Sequence, residues 1–233
     1  MRLSACLPAL ALVTLIAGCA RQEAGLSAAD ILALKEQLAA AQTQAQRAED
    51  WTQVANLQAS YGFYVDKMRW DDVADLFTPN ATLEIAGRGL FIGQDRIRTY
   101  LKALGTFEYG TLYNHTQLQP VIHIADDGAS AKARWRSIIQ VAHLGKDARW
   151  GEATYENEYM KLDGKWRISK LHSFITYYIP FDKGWDKGGN PLPQQLGDLK
   201  PDAPPTVQYG AYPEVFVPPY HYDNPVTGRK FEP

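Results

Sequence analysis

Apolar positions near the front of the chain recur at Ile31, Leu34, Leu38, Ala41, Ala45 and Ala48. This spacing of three and four predicts a helix over residues 27–48. Ser27 followed by Asp30 supplies its start signal. Alanine and glutamine fill the second half, so the helix reads as a stalk or as a short coiled-coil seam. From Trp51 to Met68 the pattern continues with bigger side chains at Val54, Leu57, Tyr61, Tyr64, Val65 and Met68. "WDDVADLF" fits a second, short helix stopped near Pro79. "ATLEI" and "GLFIG" alternate as strands do, around a Gly87-Arg88-Gly89 turn. "QDRIRTYLKAL" returns to helical spacing and ends at Gly105.

Long alternating stretches follow at Leu112–Ile124, Ser130–His143, Trp150–Leu162 and Trp166–Tyr178, with turn signals at Asp126-Asp127-Gly128 and Asp163-Gly164-Lys165. The order is helix, helix, hairpin, helix and then a meander. It predicts an α+β fold: a curved, cone-shaped antiparallel sheet packed on N-terminal helices, with room for an internal cavity. After Pro180 periodicity disappears and prolines crowd in, yet "YPEVFVPPYHY" is too aromatic for a free linker. An extended arm lying on the domain, or on a neighbouring subunit, is expected.

The front of the chain adds an address. Arg2 precedes an apolar run, Ala5–Ala17, too short to span a bilayer comfortably, and small residues lead into Cys19. This resembles a bacterial lipoprotein signal, with lipid on Cys19, although Ile16 stands where leucine is usual. An ordinary secretory signal is the alternative. Ala20 lacks the aspartate associated with inner-membrane retention, which points to the outer membrane, facing the periplasm. The organisation expected is a signal at 1–18, a helical stalk at 19–49, a domain at 50–179 and an arm at 180–233. Cys6 leaves with the signal and Cys19 is acylated, so neither cysteine of the chain serves as nucleophile, disulfide or metal ligand. Formal net charge is −2, which gives no reason to expect nucleic acid as a partner. No phosphate loop, paired-histidine motif or serine elbow is present, so neither a cofactor nor a metal is expected.

In order along residues 50–178 stand "YVDKMRWDDVADLFTPNATLEI", "GQDRIRTYL", "YNHTQ" and "YENEYMKLDGKWRISKLHSF". Together they resemble the SnoaL-like group of the nuclear transport factor 2-like superfamily, which includes scytalone dehydratase and is related to ketosteroid isomerase. The resemblance to scytalone dehydratase matches Asp66, shortly before Trp70, and His115 to catalytic positions. The resemblance to ketosteroid isomerase matches Tyr61 and Glu158 to oxyanion-hole positions, while Ile85 replaces the catalytic base. The catalytic set it implies is His115, Asp66, Tyr61 and Glu158. Histidine titrates near neutral pH and suits proton transfer, and a phenol can donate to a developing oxyanion.

Strand alternation sorts Glu152, Glu156 and Glu158 onto one face and Tyr155 and Tyr159 onto the other. If the acidic face looks into the cavity, desolvation raises at least one carboxyl pKa; if it is solvent-facing, these are surface acids. Arg134 and Arg136 share one face, read as outward, which turns Trp135 inward; Trp135 and Tyr64 are the candidate substrate-binding aromatics. The family implies a cofactor-independent lyase, dehydratase or isomerase acting on a small aromatic or polyketide-like molecule, and a homo-oligomer, dimer or trimer. A ligand-binding lipoprotein or an envelope assembly protein are the alternatives.

Overall fold

A computed structural model describes residues 26–232. The signal-peptide and Cys19 expectations lie outside the described residues. The protein divides into a unit ending at Gln42 and one from Thr43 onward. Helix α1 (Ala28–Asp66) has no break at 49/50. Its first turn is closed by a reciprocal pair: Ser27 Oγ accepts from the Asp30 N–H, and the Asp30 carboxylate accepts from the Ser27 N–H. Residues up to Gln42 are exposed, Ile31, Leu34 and Leu38 included.

In the second unit α1 turns Val54, Gln58, Tyr61, Gly62 and Val65 into the core. The remaining elements are α2 (Trp70–Asp75), β1 (Phe77–Ile85), β2 (Leu90–Ile92), α3 (Gln94–Ala103), β3 (Thr111–Ile124), β4 (Ser130–His143), β5 (Asp147–Leu162) and β6 (Lys165–Pro180). They form one six-stranded sheet in the order β2-β1-β6-β5-β4-β3. All neighbours run antiparallel except β1 and β6, which are parallel because the chain leaves β1, builds the meander and comes back beside it. The β5–β6 hairpin turns through Asp163 (φ 51°) and Gly164 (φ 74°), the positive pair a tight two-residue hairpin needs.

Two irregularities in β6 decide which side chains face inward. Glu152 pairs with Tyr177 but Ala153 pairs with Ile175, leaving Thr176 as an extra residue; a second shift leaves Ser169 over. The first bulge turns Tyr178, not Tyr177, to the helix side with Ser173 and Ile175. Gly151 makes room there: a Cβ would lie 2.7 Å from Tyr178 Cε1.

The C-terminal arm lies across the other face of the sheet. Buried Glu84 accepts from Thr206 N–H (2.8 Å) and Thr206 Oγ1 (2.6 Å). Phe174 is covered by Tyr209 and Phe216. Arg134 pairs with Glu156 (2.7 Å), lies 3.6 Å over the Tyr220 ring and donates to the Pro219 carbonyl. The arm also bridges to the β1–β2 hairpin, Ala203 to Leu90.

Candidate active site

Between α1, α3 and the inner face of the sheet lies a cavity of about 70 Å³. Its walls carry the phenols of Tyr61, Tyr100, Tyr113, Tyr155 and Tyr178, the imidazole of His115, the guanidinium of Arg88 and the hydroxyl of Ser173, set among aliphatic residues. No carboxylate stands among these wall residues. The half-exposed residues Ile85, Arg88, Leu104, Tyr113 and Tyr178 mark the side nearest solvent; Tyr61, Tyr100 and Tyr155 form the deep end.

His115 is held by its backbone. Strand β3 is the edge of the sheet, so alternate backbone groups have no strand to pair with. At His115 side chains satisfy them instead. The Asp66 carboxylate, at the end of α1, accepts from the His115 N–H at 2.6 Å, and Gln117 Nε2 donates to the His115 carbonyl at 2.9 Å. Gln117 is fixed in turn by Gln58, whose carbonyl accepts from Tyr159 and Asn157. Helix and strand approach closely because Gly62 has no side chain. A Cβ there would lie 2.9 Å from Gln117 Cγ and 3.0 Å from the His115 carbonyl oxygen. The Asp66 Oδ1 to His115 Nδ1 distance is 3.8 Å, beyond hydrogen-bond reach, and Nδ1 is buried without a partner. Asp66 thus positions the strand and puts a negative charge near the ring.

Burial raises the pKa of all five wall phenols; for Tyr61 and Tyr178 the rise is large. They stay protonated at neutral pH and serve as hydrogen-bond donors. His115 is the one wall side chain suited to accept a proton there. Arg88 Nη1 donates to the Tyr100 hydroxyl at 2.6 Å, which leaves the Tyr100 proton available to another acceptor. Among the described residues no group of three or more His, Cys, Asp or Glu is gathered as a metal site requires.

Tyr61 and His115 therefore share one chamber, with Asp66 behind His115. Three other expected positions fall elsewhere. Glu158 is on the opposite face of the sheet, 3.5 Å from Lys170 and partly exposed, because the tyrosines of β5 take the inward places. Trp135 does face inward, but it is buried beside the chamber and donates to Tyr159 Oη at 2.9 Å. Tyr64 sits under the Arg69 guanidinium, 5.5 Å from ring centre, off the chamber wall. Arg88 and Tyr100 were not singled out from the sequence. Arg88 lies in a stretch read only as a turn. Tyr100 stands one turn of helix beyond Ile97, a spacing that signalled packing rather than chemistry.

The comparisons with known proteins agree with this architecture. One solved structure, from Novosphingobium aromaticivorans and provisionally named scytalone dehydratase, is 16% identical with a TM-score of 0.55, covering 67% of this chain and 99% of its own. Another, hexachlorocyclohexane dehydrochlorinase LinA-type3 from Novosphingobium barchaimii, is 17% identical with a TM-score of 0.54, covering 60% and 96%. At such identity the likeness speaks for the fold alone. No curated protein matches. The SnoaL-like domain family matches residues 46–172, more than half of the chain. On that match, which takes in most of the helices and strands around the chamber, the chain belongs to the SnoaL-like domain family.

Proposed function

We propose that the protein is a cofactor-independent lyase, dehydratase or isomerase that works by general acid–base catalysis on a small aromatic or polyketide-like molecule. The observation that carries this reading is His115, anchored by both backbone groups, with its side chain on the wall of a chamber whose other ionisable walls are protonated phenols and one arginine. His115 takes a proton from a substrate carbon. Tyr61 donates to the oxygen on which charge develops, and the Arg88-polarised Tyr100 hydroxyl is placed for the same task. Asp66 is a positioning residue that holds His115 through its backbone N–H.

The space is narrow. About 70 Å³ accommodates about two water molecules, by the ~30 Å³ that each takes in the liquid. A ring-sized substrate therefore has to displace side chains at the solvent side, Leu104 and Tyr113 among them. The absence of a wall carboxylate favours a second reading, a ligand-binding protein that leaves its ligand unchanged.

An assay of wild type and His115→Gln on aryl compounds whose side chain carries a hydroxyl or halide β to an acidic C–H, read as formation of the conjugated double bond by absorbance, separates the two. Catalysis requires wild-type turnover that falls at least ~100-fold in the variant, the usual worth of a positioned acid–base group. Turnover unchanged by the substitution removes His115 from the mechanism. Binding without turnover selects the second reading.

We propose further that Cys19 carries lipid and holds the protein at the outer membrane, on the support of the apolar run ending at Gly18-Cys19. Mass spectrometry of the mature N-terminus in wild type and Cys19→Ser is expected to find acyl mass only in the former.

A further inference from the structure

Resting on the chamber being a substrate site, but not on proton transfer by His115, we infer that Arg88 binds a carboxylate of the substrate, which makes the ligand an organic acid. Arg88 enters the chamber from the β1–β2 turn, and that turn is pinned. Gly89 has φ 86° and lies so close under the arm that a Cβ would stand 2.6 Å from Pro201 Cβ and 2.7 Å from the Ala203 carbonyl oxygen. Gly87 is packed against Gln194 in the same way. The arm thus closes over the outside of the turn while Arg88 lines the inside.

The guanidinium is under-satisfied there. Through Nη1 it donates to a neutral phenol, Tyr100. Nε is buried without a partner. The bond from Nη1 leaves the Nε–Nη2 edge, the planar fork that receives both oxygens of a carboxylate. The walls offer no counter-charge: they supply phenols, a hydroxyl and an imidazole. Arg134 in the same sheet shows what the fold does with a structural arginine, pairing it with Glu156 at 2.7 Å. A partly buried cation without a counter-charge is costly, and a carboxylate on the ligand removes this cost. A carboxylate on Arg88 also fixes the orientation of the rest of the molecule between His115 and the deep phenols. The acid group is the handle and the far end is the reacting part.

Matched probes test this: acetate against acetamide and benzoate against benzamide, at constant ionic strength, by thermal shift and calorimetry. The two sizes allow for the narrow chamber. Wild type is expected to bind at least one carboxylate, and at least 10-fold more tightly than its amide. Arg88→Met is expected to lose that preference and Arg88→Lys to keep part of it. His115→Gln is expected to retain it, so loss of catalysis and loss of acid binding are read separately. Equal response to acid and amide, no response to any probe, or an Arg88→Met protein that binds carboxylate as wild type does overturns the inference. Should Arg88→Met not fold, the acid–amide contrast in wild type and in Arg88→Lys decides.

Discussion

At the scale of single residues, the account turns on side chains that hold His115 rather than on His115 alone. Asp66→Ala removes the acceptor for the His115 N–H. An unsatisfied, partly buried amide costs about 1–3 kcal/mol, so the melting temperature should fall, and turnover with it; Asp66→Asn keeps an acceptor and should recover most of the stability. Gly62→Ala is a sharper probe. Alanine ordinarily helps a helix by roughly 0.5–1 kcal/mol over glycine. Here its Cβ meets Gln117 and the His115 carbonyl at 3.0 Å or less, and overpacking of this kind costs ~1–3 kcal/mol. Urea denaturation should find the variant less stable, against helix propensity; a more stable variant would mean that β3 has room to move.

A third residue-scale prediction concerns pH. Burial pushes His172 down to about 4, against the pull of Glu84 and with a further push from Lys170. The folded value lies below the unfolded one, near 6.5. Between these values the unfolded chain binds the proton first, so stability is complete above about pH 6.5 and declines as pH falls toward 4. Thermal melts across that range should show the decline, and His172→Gln should flatten it. Equal pH dependence in both proteins would assign the loss to other groups.

At the scale of elements, much was legible. The Asp163-Gly164 hairpin, the α3 helix ending before Gly105, and the alternation that sets Trp135 against Arg134 and Arg136 follow from local chemistry. What escaped local reading depended on pairing between distant strands. Alternation separated Glu158 from Tyr155 correctly, but which of the two faces meets the helices is a tertiary fact. The bulge at Thr176 reverses the apparent direction of Tyr178, and only its register against β5 reveals it. Arg88 was hidden because a residue between two glycines reads as punctuation, and its partner Tyr100 comes from a separate helix. The placement of Tyr178 depends on the glycine opposite: Gly151→Ala should displace that ring and weaken ligand binding more than it weakens the fold, a split that calorimetry with parallel melts can read.

At the scale of the molecule, the arm covers the outer face of the sheet and closes over the turn that carries Arg88. Phe174 is 2% exposed because Tyr209 and Phe216 lie against it. Deleting residues 204–233 should uncover that face and lead to self-association, seen by light scattering as a mass above that of the full chain; an unchanged mass and melting temperature would mean that the arm contributes nothing to the face it covers.

The central claim is that His115 moves a proton inside the chamber. Its most direct measurement is deuterium uptake from D₂O at carbon, followed by NMR, for small carboxylic acids bearing an acidic C–H. Uptake catalysed by wild type and at least ~100-fold slower in a folded His115→Gln protein is the result predicted. Equal uptake by the two proteins, or none by wild type with any acid that binds, would contradict it.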